Sequence, residues 1–249
     1  MERKYWEKIA PDYNEEIFDV LHNDKKAIIR SAIKRVASAR ATVIDAGCAV
    51  GKWLPVLSPL FKNVIAVDIS ARNISIARKN YSSLSNISYL RADLSSRSLR
   101  LPKADVVVCI NAILSASMPK RTHFFSHLSR CLNKDGALVL VVPSMESWLT
   151  TRVIQRRWNI DTSLFRDKLS VDEAAKRYRN LQEGNVEIDN VATKHYMEGE
   201  LQLLLSREGF ELDRCRKIEY SWSTEFIDAP RWLKQPGPWD WLVVAKKVK

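Results

Sequence analysis

At 249 residues the chain can form one large domain or two small ones, and 46% apolar residues supply material for a core. No apolar run approaches the roughly 20 residues that span a bilayer, and the N-terminal segment Met1 to Lys8 lacks the apolar centre of a signal peptide. The cysteines (Cys48, Cys109, Cys131, Cys215) are scattered without Cys-x-x-Cys spacing, which excludes a zinc or redox motif and leads us to expect a reduced, cytoplasmic protein with no transmembrane segment.

The net charge of +11 is unevenly placed, because residues 41–144 carry 13 Lys/Arg against 5 Asp/Glu. A field of that sign raises encounter rates with anions. No block of about five like charges marks a dedicated tail, so an RNA partner stays open without being favoured.

The segment Tyr5-Trp6-Glu7-Lys8-Ile9-Ala10-Pro11-Asp12-Tyr13 sets aromatics around a proline. Residues 25–38 repeat apolar groups at three- and four-residue steps, the period of an amphipathic helix. Residues 1–40 therefore read as an N-terminal helical cap. An apolar run from Ala41 to Ile44 then ends at Asp45 and enters a turn holding Gly47 and Gly51; a second run, Val64 to Val67, ends at Asp68. Glycine lets the backbone turn sharply and approach a ligand closely. The helix after such a turn offers unpaired N–H groups, and an acid closing the next strand is placed to accept from a ribose diol. Together these features describe a nucleoside-type cofactor bound across the first two strands of a parallel sheet.

Ser70 caps a helix over 71–79. A third strand over 87–92 leads to Asp93, and a fourth over 105–110 is nearly all apolar, as a strand buried on both faces should be. Pro119 opens a helix carrying Phe124, Leu128 and Leu132, and Asp135-Gly136 turns into a fifth strand over 137–142. Five strands alternating with helices predict a parallel, right-handed, doubly wound sheet.

Residues 145–198 break the alternation. A helix is expected over 147–158, and the capping box from Ser170 to Glu173 opens another that ends near Gly184. Insertions at this point of an open α/β sheet lie over the carboxyl ends of the strands, so the segment reads as a helical lid. About fifty residues bury too little to be stable alone, and a single domain over 1–249 follows. A helix over 200–207 and two strands, 213–222 and 239–247, complete it.

The turn Asp45-Ala46-Gly47-Cys48-Ala49-Val50-Gly51, followed by Asp68 and Asp93, resembles the Rossmann-like, class I S-adenosylmethionine (SAM)-dependent methyltransferases. That family carries an acid-x-Gly-x-Gly-x-Gly turn, whose middle glycine is Ala49 here, a departure of one methyl group. The NAD-type Gly-x-Gly-x-x-Gly fits worse, since it needs glycine at Ala49 and Lys52. The resemblance runs from Tyr5 to Val248 and is specific between residues 41 and 144. It implies an α/β fold with a doubly wound, seven-stranded, mostly parallel sheet, helices on both faces, and an antiparallel C-terminal strand between strands five and six. It also implies SAM as methyl donor and S-adenosylhomocysteine (SAH) as product.

Roles follow from the same resemblance. Asp45 orders the glycine loop or contacts the methionine amino group, with Gly47, Cys48 and Gly51 forming the cradle. Asp68 accepts from both ribose hydroxyls. Asp93 accepts from the adenine amino group, with Ile69 and Leu94 beside the ring. Tyr13 lies in a segment that folds over the cofactor, and Asn111, closing strand four, faces both cofactor and substrate.

The residues after Asn111 are Ala112-Ile113-Leu114, not the Pro-Pro-aromatic run of amino-directed DNA methyltransferases, and no Pro-Cys pair signals cytosine-C5 chemistry. Where the acceptor must lose a proton, His195 and Tyr196 are the candidate bases; Asn111 is the third catalytic candidate. His123 and His127 lie one helical turn apart with no third ligand, so no metal is expected. Arg152, Arg156 and Arg157 either meet an anionic substrate or form a solvated face. The expected activity is methyl transfer to an oxygen or nitrogen of a small molecule. An RNA or protein substrate, or a non-catalytic SAM-binding module, are the alternatives.

Overall fold

The structure, a computed structural model, describes residues 3–162, 169–188 and 190–248. Residues 163–168 of the expected lid lie outside that range. Among the described residues no helix is long and apolar enough to cross a membrane.

The chain begins with short helices α1 (Arg3–Ile9), α2 (Tyr13–Glu16) and α3 (Val20–Asn23), followed by α4 (Ile28–Val36). The start of α4 is set by Asp24, a buried acid whose carboxylate accepts the amides of Ile28 at 2.6 Å and Ile29 at 3.1 Å. A carboxylate there satisfies amides that have no partner within the helix.

The alternating region then supplies β1 (Thr42–Ala46), α5 (Leu54–Leu57), β2 (Asn63–Asp68), α6 (Ala71–Asn80), β3 (Ile87–Arg91), β4 (Ala104–Ile110), α7 (Met118–Cys131) and β5 (Leu132–Pro143). The insertion holds α8 (Met145–Trp158), α9 (Val171–Gln182) and a hairpin of β6 (Asn185–Ile188) and β7 (Val191–Lys194). Helix α10 (Glu198–Arg207), β8 (Phe210–Glu219) and β9 (Trp239–Lys247) complete the chain.

Seven strands form one sheet in the order β3-β2-β1-β4-β5-β9-β8. Strand β9 runs antiparallel to both β5 and β8, and the other strands are parallel. This is the seven-stranded, mostly parallel sheet anticipated, with the last strand between the fifth and the sixth. Alternate residues face opposite sides, as the two-residue strand period requires. Ile44, Ala46, Val67, Val107 and Cys109 pack with Phe125 and Leu128 of α7 and Leu201 and Leu205 of α10. Val43, Val64, Ala66, Val106 and Val108 pack with Ile29 and Ile33 of α4, Leu54 and Leu57 of α5, and Ile74 of α6. The register pairs Ala46 with Val67 and Asp68 with Arg91, so neighbouring strand tips end at one level.

Three local features depart from the sequence reading. Strand β5 begins at Leu132, because Asp135 adopts φ +63 and the β4–β5 ladder shifts register between Ala104 and Val106 instead of ending. Strand β8 begins at Phe210 and stops at Glu219, leaving Trp222 in a 3-10 turn where it stacks on Phe226 at 5.5 Å. The insertion is not purely helical. The β6–β7 hairpin passes through Asn190 at φ +61, and the amides of Lys194 and Tyr196 tie its end to Leu114 in the loop after β4 and Pro143 at the tip of β5.

Candidate active site

The glycine turn is held by the neighbouring strand. Gly47 (φ +87) and Cys48 both donate their amides to the Val67 carbonyl, at 2.8 and 2.9 Å. Ala49, at φ +47, donates to Asp68 Oδ2 at 2.9 Å. The other oxygen of Asp68 accepts from the Ser70 amide at 2.8 Å and Asn73 Nδ2 at 3.2 Å. Gly47 is obligatory, because a Cβ there would collide with the Ala112 side chain. At Gly51 a Cβ would meet Leu54 and Tyr81, so that glycine serves packing under the turn.

Two chambers lie over the strand tips. The smaller, about 100 Å³, is bounded by Asp68, Ile69, Asp93 and Leu94. The larger, about 450 Å³, runs between the N-terminal helices, α8 and β9, and reaches Cys48 and His195. Trp6, Tyr13, Gly47, Ala49, Asn111 and Leu114 line both. Alone, the smaller falls below the roughly 300 Å³ of ordinary ligand sites, whereas the larger lies within that range. The N-terminal cap is fastened at two points. Glu7 accepts the α6 amides of Ala71 (2.8 Å) and Arg72 (3.2 Å), and Lys52 Nζ meets Asp19 Oδ2 at 2.8 Å.

Most of the residues expected at the site do converge on these chambers: Tyr13, Gly47, Cys48, Asp68, Ile69, Asp93, Leu94, Asn111 and His195. Asp93 is exposed and accepts from the amide and hydroxyl of Ser95 at 2.8 and 2.6 Å. Burial raises the Asp68 carboxyl, against the three donors that stabilise its charge. Asp45 and Gly51 line neither chamber. Asp45 is buried beneath the turn, its Oδ2 lacking a partner among the described residues, and burial, with the Asp68 charge nearby, pushes its carboxyl up to about 7.

Tyr196 requires a correction as a catalytic candidate. It is fully buried, its hydroxyl donates to the Ile113 carbonyl at 2.8 Å, and its ring packs on Phe125. The β6–β7 hairpin turns this residue into the core. His195 faces the other way. Its Nδ1 lies 3.2 Å from the Thr193 carbonyl; a carbonyl only accepts, so Nδ1 carries the proton and Nε2 the lone pair. Burial lowers its pKa to about 4, keeping the ring neutral at physiological pH. His127 Nε2 is engaged by the Ser96 carbonyl at 2.7 Å, and among the described residues no group of three His, Cys, Asp or Glu could hold a metal.

The sequence reading did not single out the carboxylates of the larger chamber. Asp240 on β9 is buried, and its Oδ2 accepts from Asn111 Nδ2 at 2.9 Å and the Tyr220 hydroxyl at 3.0 Å. Asn111 itself stands at φ +46, a conformation that costs a non-glycine residue free energy and clusters at functional sites. Glu225 is exposed on the chamber wall; the protein crowding around it still pushes its carboxyl up to about 7, although the Arg152 guanidinium opposes the rise. An acid between two tryptophans in the apolar run Trp239 to Ala245 was the available signal for Asp240.

These residues fit an adenosyl sulfonium. A carboxylate at the tip of β2, a turn where Gly47 leaves room that a side chain would close, and the apolar pair Ile69 and Leu94 surround the smaller chamber. Asn111 Oδ1 is buried beside the junction and has no partner among the described residues. This fold is the one seen in Rossmann-like, class I SAM-dependent methyltransferases, and the turn resembles theirs. Residues 43–136 match the family model described as a methyltransferase domain. The chain is 30% identical over 116 residues to the probable S-adenosylmethionine-dependent methyltransferase CRG1 of Saccharomyces cerevisiae, a match covering 44% of this chain and 38% of that protein. Among solved structures it is similar to a SAM-dependent methyltransferase from Anabaena variabilis (TM-score 0.67, 16% identity, 98% of this chain and 93% of that one). It is also similar to the magnesium protoporphyrin IX methyltransferase of Synechocystis with bound SAH (TM-score 0.63, 15% identity, 98% and 97%).

Proposed function

We propose that this chain transfers a methyl group from SAM to an oxygen or nitrogen nucleophile of a small molecule held in the larger chamber. The observation that carries this reading is the pair of chambers sharing Gly47, Ala49 and Asn111. One has the carboxylate and apolar walls that suit a nucleoside; the other is roomy enough for a compact acceptor.

In this reading the Asp68 carboxylate holds the ribose hydroxyls, Asp93 receives the adenine amino group, and Ile69 and Leu94 flank the ring. Gly47, Cys48 and Ala49 border the methionine portion, with Asp45 and Gly51 supporting the turn from below. Tyr13 and Trp6 cover the junction. Bound SAM supplies an already activated methyl group, so the protein's task is alignment and exclusion of water. Alignment of this kind supplies up to about 7–11 kcal/mol of barrier reduction. Asn111 sits where cofactor and acceptor meet, and His195 offers a neutral Nε2 to an acceptor hydroxyl or amine. An acceptor buried beneath the N-terminal cap is compact, which favours a small molecule over RNA or a protein segment.

Calorimetric titration of the full chain with SAM, SAH and NAD tests the cofactor reading. Binding of SAM and SAH without NAD is expected, and preference for NAD would overturn it. Retained turnover at high salt is expected of a small-molecule enzyme, whereas an RNA enzyme loses affinity steeply as salt rises.

A further inference from the structure

The chain carries a net charge of +11, but the described lining of the larger chamber holds more acids than bases. Among its described lining residues are four carboxylates, Glu16, Asp19, Glu225 and Asp240, and one ammonium, Lys52. Lys52 is committed to Asp19 at 2.8 Å. His195 is neutral, so no other cation lines the described walls. Arg152 acts on Glu225 from outside the lining, and its Nη1 donates to Gln155 Oε1 at 2.8 Å.

Asp240 is the acid closest in connection to the cofactor junction, one hydrogen bond from Asn111. Both of its donors converge on Oδ2, and Oδ1 has no protein donor among the described residues. Glu225 lies near enough for the Asp240 charge to raise its carboxyl further. Trp148, Tyr220 and Trp239 line the same chamber, and aromatic faces attract cations. Carboxylates with unfilled acceptor positions beside aromatic rings recognise a group that donates hydrogen bonds and carries positive charge.

We infer that the methyl acceptor is an amine, held as its ammonium by Asp240 and Glu225 where Asn111 joins the two chambers. This rests on the methyl-transfer reading above for the cofactor and adds the chemical class of the acceptor. Asp240 Oδ1 takes one ammonium proton. The freed nitrogen lone pair then forms the N–C bond as the methyl–sulfur bond breaks, and the sulfur keeps the electron pair. The product leaves as the methylated ammonium, with the carboxylic acid returning its proton to water. The net positive charge of the chain, in this arrangement, is unrelated to acceptor choice.

The test is calorimetric titration of the full chain, saturated with SAH, with 2-phenylethylamine, 2-phenylethanol and 3-phenylpropanoate. The amine is expected to bind at least about tenfold tighter than the alcohol, the scale of a charged hydrogen bond, with the acid weakest. Asp240→Asn and Glu225→Gln should each remove most of that preference, and in Glu225→Gln SAH affinity should hold. Failure of SAH to bind the wild-type chain breaks the cofactor reading instead. With SAH bound, this inference is overturned by an amine that does not bind, by an acid that binds as tightly as the amine, or by a preference that persists in Glu225→Gln. The last variant changes a side chain open to the chamber, so it keeps the test intact should Asp240→Asn fail to fold.

Discussion

The carboxylate of Asp68 accepts the amide of Ala49 at 2.9 Å, tying the left-handed residue of the glycine turn to the tip of the neighbouring strand. The acid proposed to hold the ribose therefore also shapes the loop beside it. Asp68→Ala removes three protein hydrogen bonds as well as the ligand contact. SAM affinity should fall by about 1.5–3 kcal/mol, the scale for hydrogen bonds to a charged group. Thermal melting should show a loss of stability in the ligand-free protein as well. Equal SAM affinities of variant and wild type in calorimetry would refute the role assigned to Asp68.

The turn's two small residues should respond differently to substitution. Gly47→Ala sets a Cβ against Ala112 at φ +87, and overpacking plus left-handed strain predicts a loss of roughly 2–4 kcal/mol. Ala49→Gly introduces the glycine of the methyltransferase turn that this one resembles, at φ +47, where relief of strain is offset by added freedom of the unfolded chain. Its stability should change by less than about 1 kcal/mol. Urea unfolding of both variants checks the contrast.

Buried Asp45 makes stability depend on pH in a definite direction. Its native pKa of about 7 lies above the unfolded carboxylate value, so the native state binds the extra proton. The associated stability is complete below about pH 4 and is lost as pH rises through about 7. His195 acts with the opposite sign: its native value of about 4 lies below the unfolded 6.5, so its stability is present above about 6.5 and is lost as pH falls toward 4. Asp45→Asn removes the first dependence alone. Relative to wild type, the variant should gain on the order of 4 kcal/mol between pH 4 and pH 8, measured by urea unfolding at both. A constant difference between the two proteins would contradict the assignment.

Lys52 should matter more for closure than for global stability. Its ion pair with Asp19 is partly exposed, and such pairs contribute about 0–1 kcal/mol. Lys52→Met should lower the melting temperature little. It should also make residues 3–23 more susceptible to limited proteolysis and weaken SAM binding, since that segment covers the junction between the chambers.

Tyr196→Phe tests the core placement of that residue. Loss of the hydrogen bond to the Ile113 carbonyl leaves a buried acceptor and should cost about 1–3 kcal/mol. Once an acceptor is in hand, kcat should be unchanged at temperatures well below the melting transition. His195→Gln, by contrast, should lower it.

The sequence stated the sheet most clearly where strands are buried on both faces. Val106 to Cys109 could be placed because apolar continuity is a local property. The β6–β7 hairpin was also written locally, in Val-Glu-Ile alternation followed by Asp189-Asn190, but helical neighbours drew the reading toward an all-helical lid. The pairs His195 and Tyr196 could not be separated from sequence. They are adjacent in the chain, and only the return of β7 against Leu114 and Pro143 decides that the first faces the chamber and the second the core.

By itself, then, the sequence pointed to the residues proposed for the cofactor half of the site. The Asp45-to-Gly51 turn, Asp68 and Asp93 lie at or just past the ends of β1, β2 and β3, and a parallel sheet brings consecutive strand ends side by side. The residues proposed for the acceptor half come together only in the tertiary structure. Asp240 reaches Asn111 across 129 positions because β9 inserts antiparallel beside β5, and Glu225 joins it through the loop between β8 and β9. Desolvation and charge at those carboxylates come from neighbours distant in the chain, so no local pattern of residues encodes them.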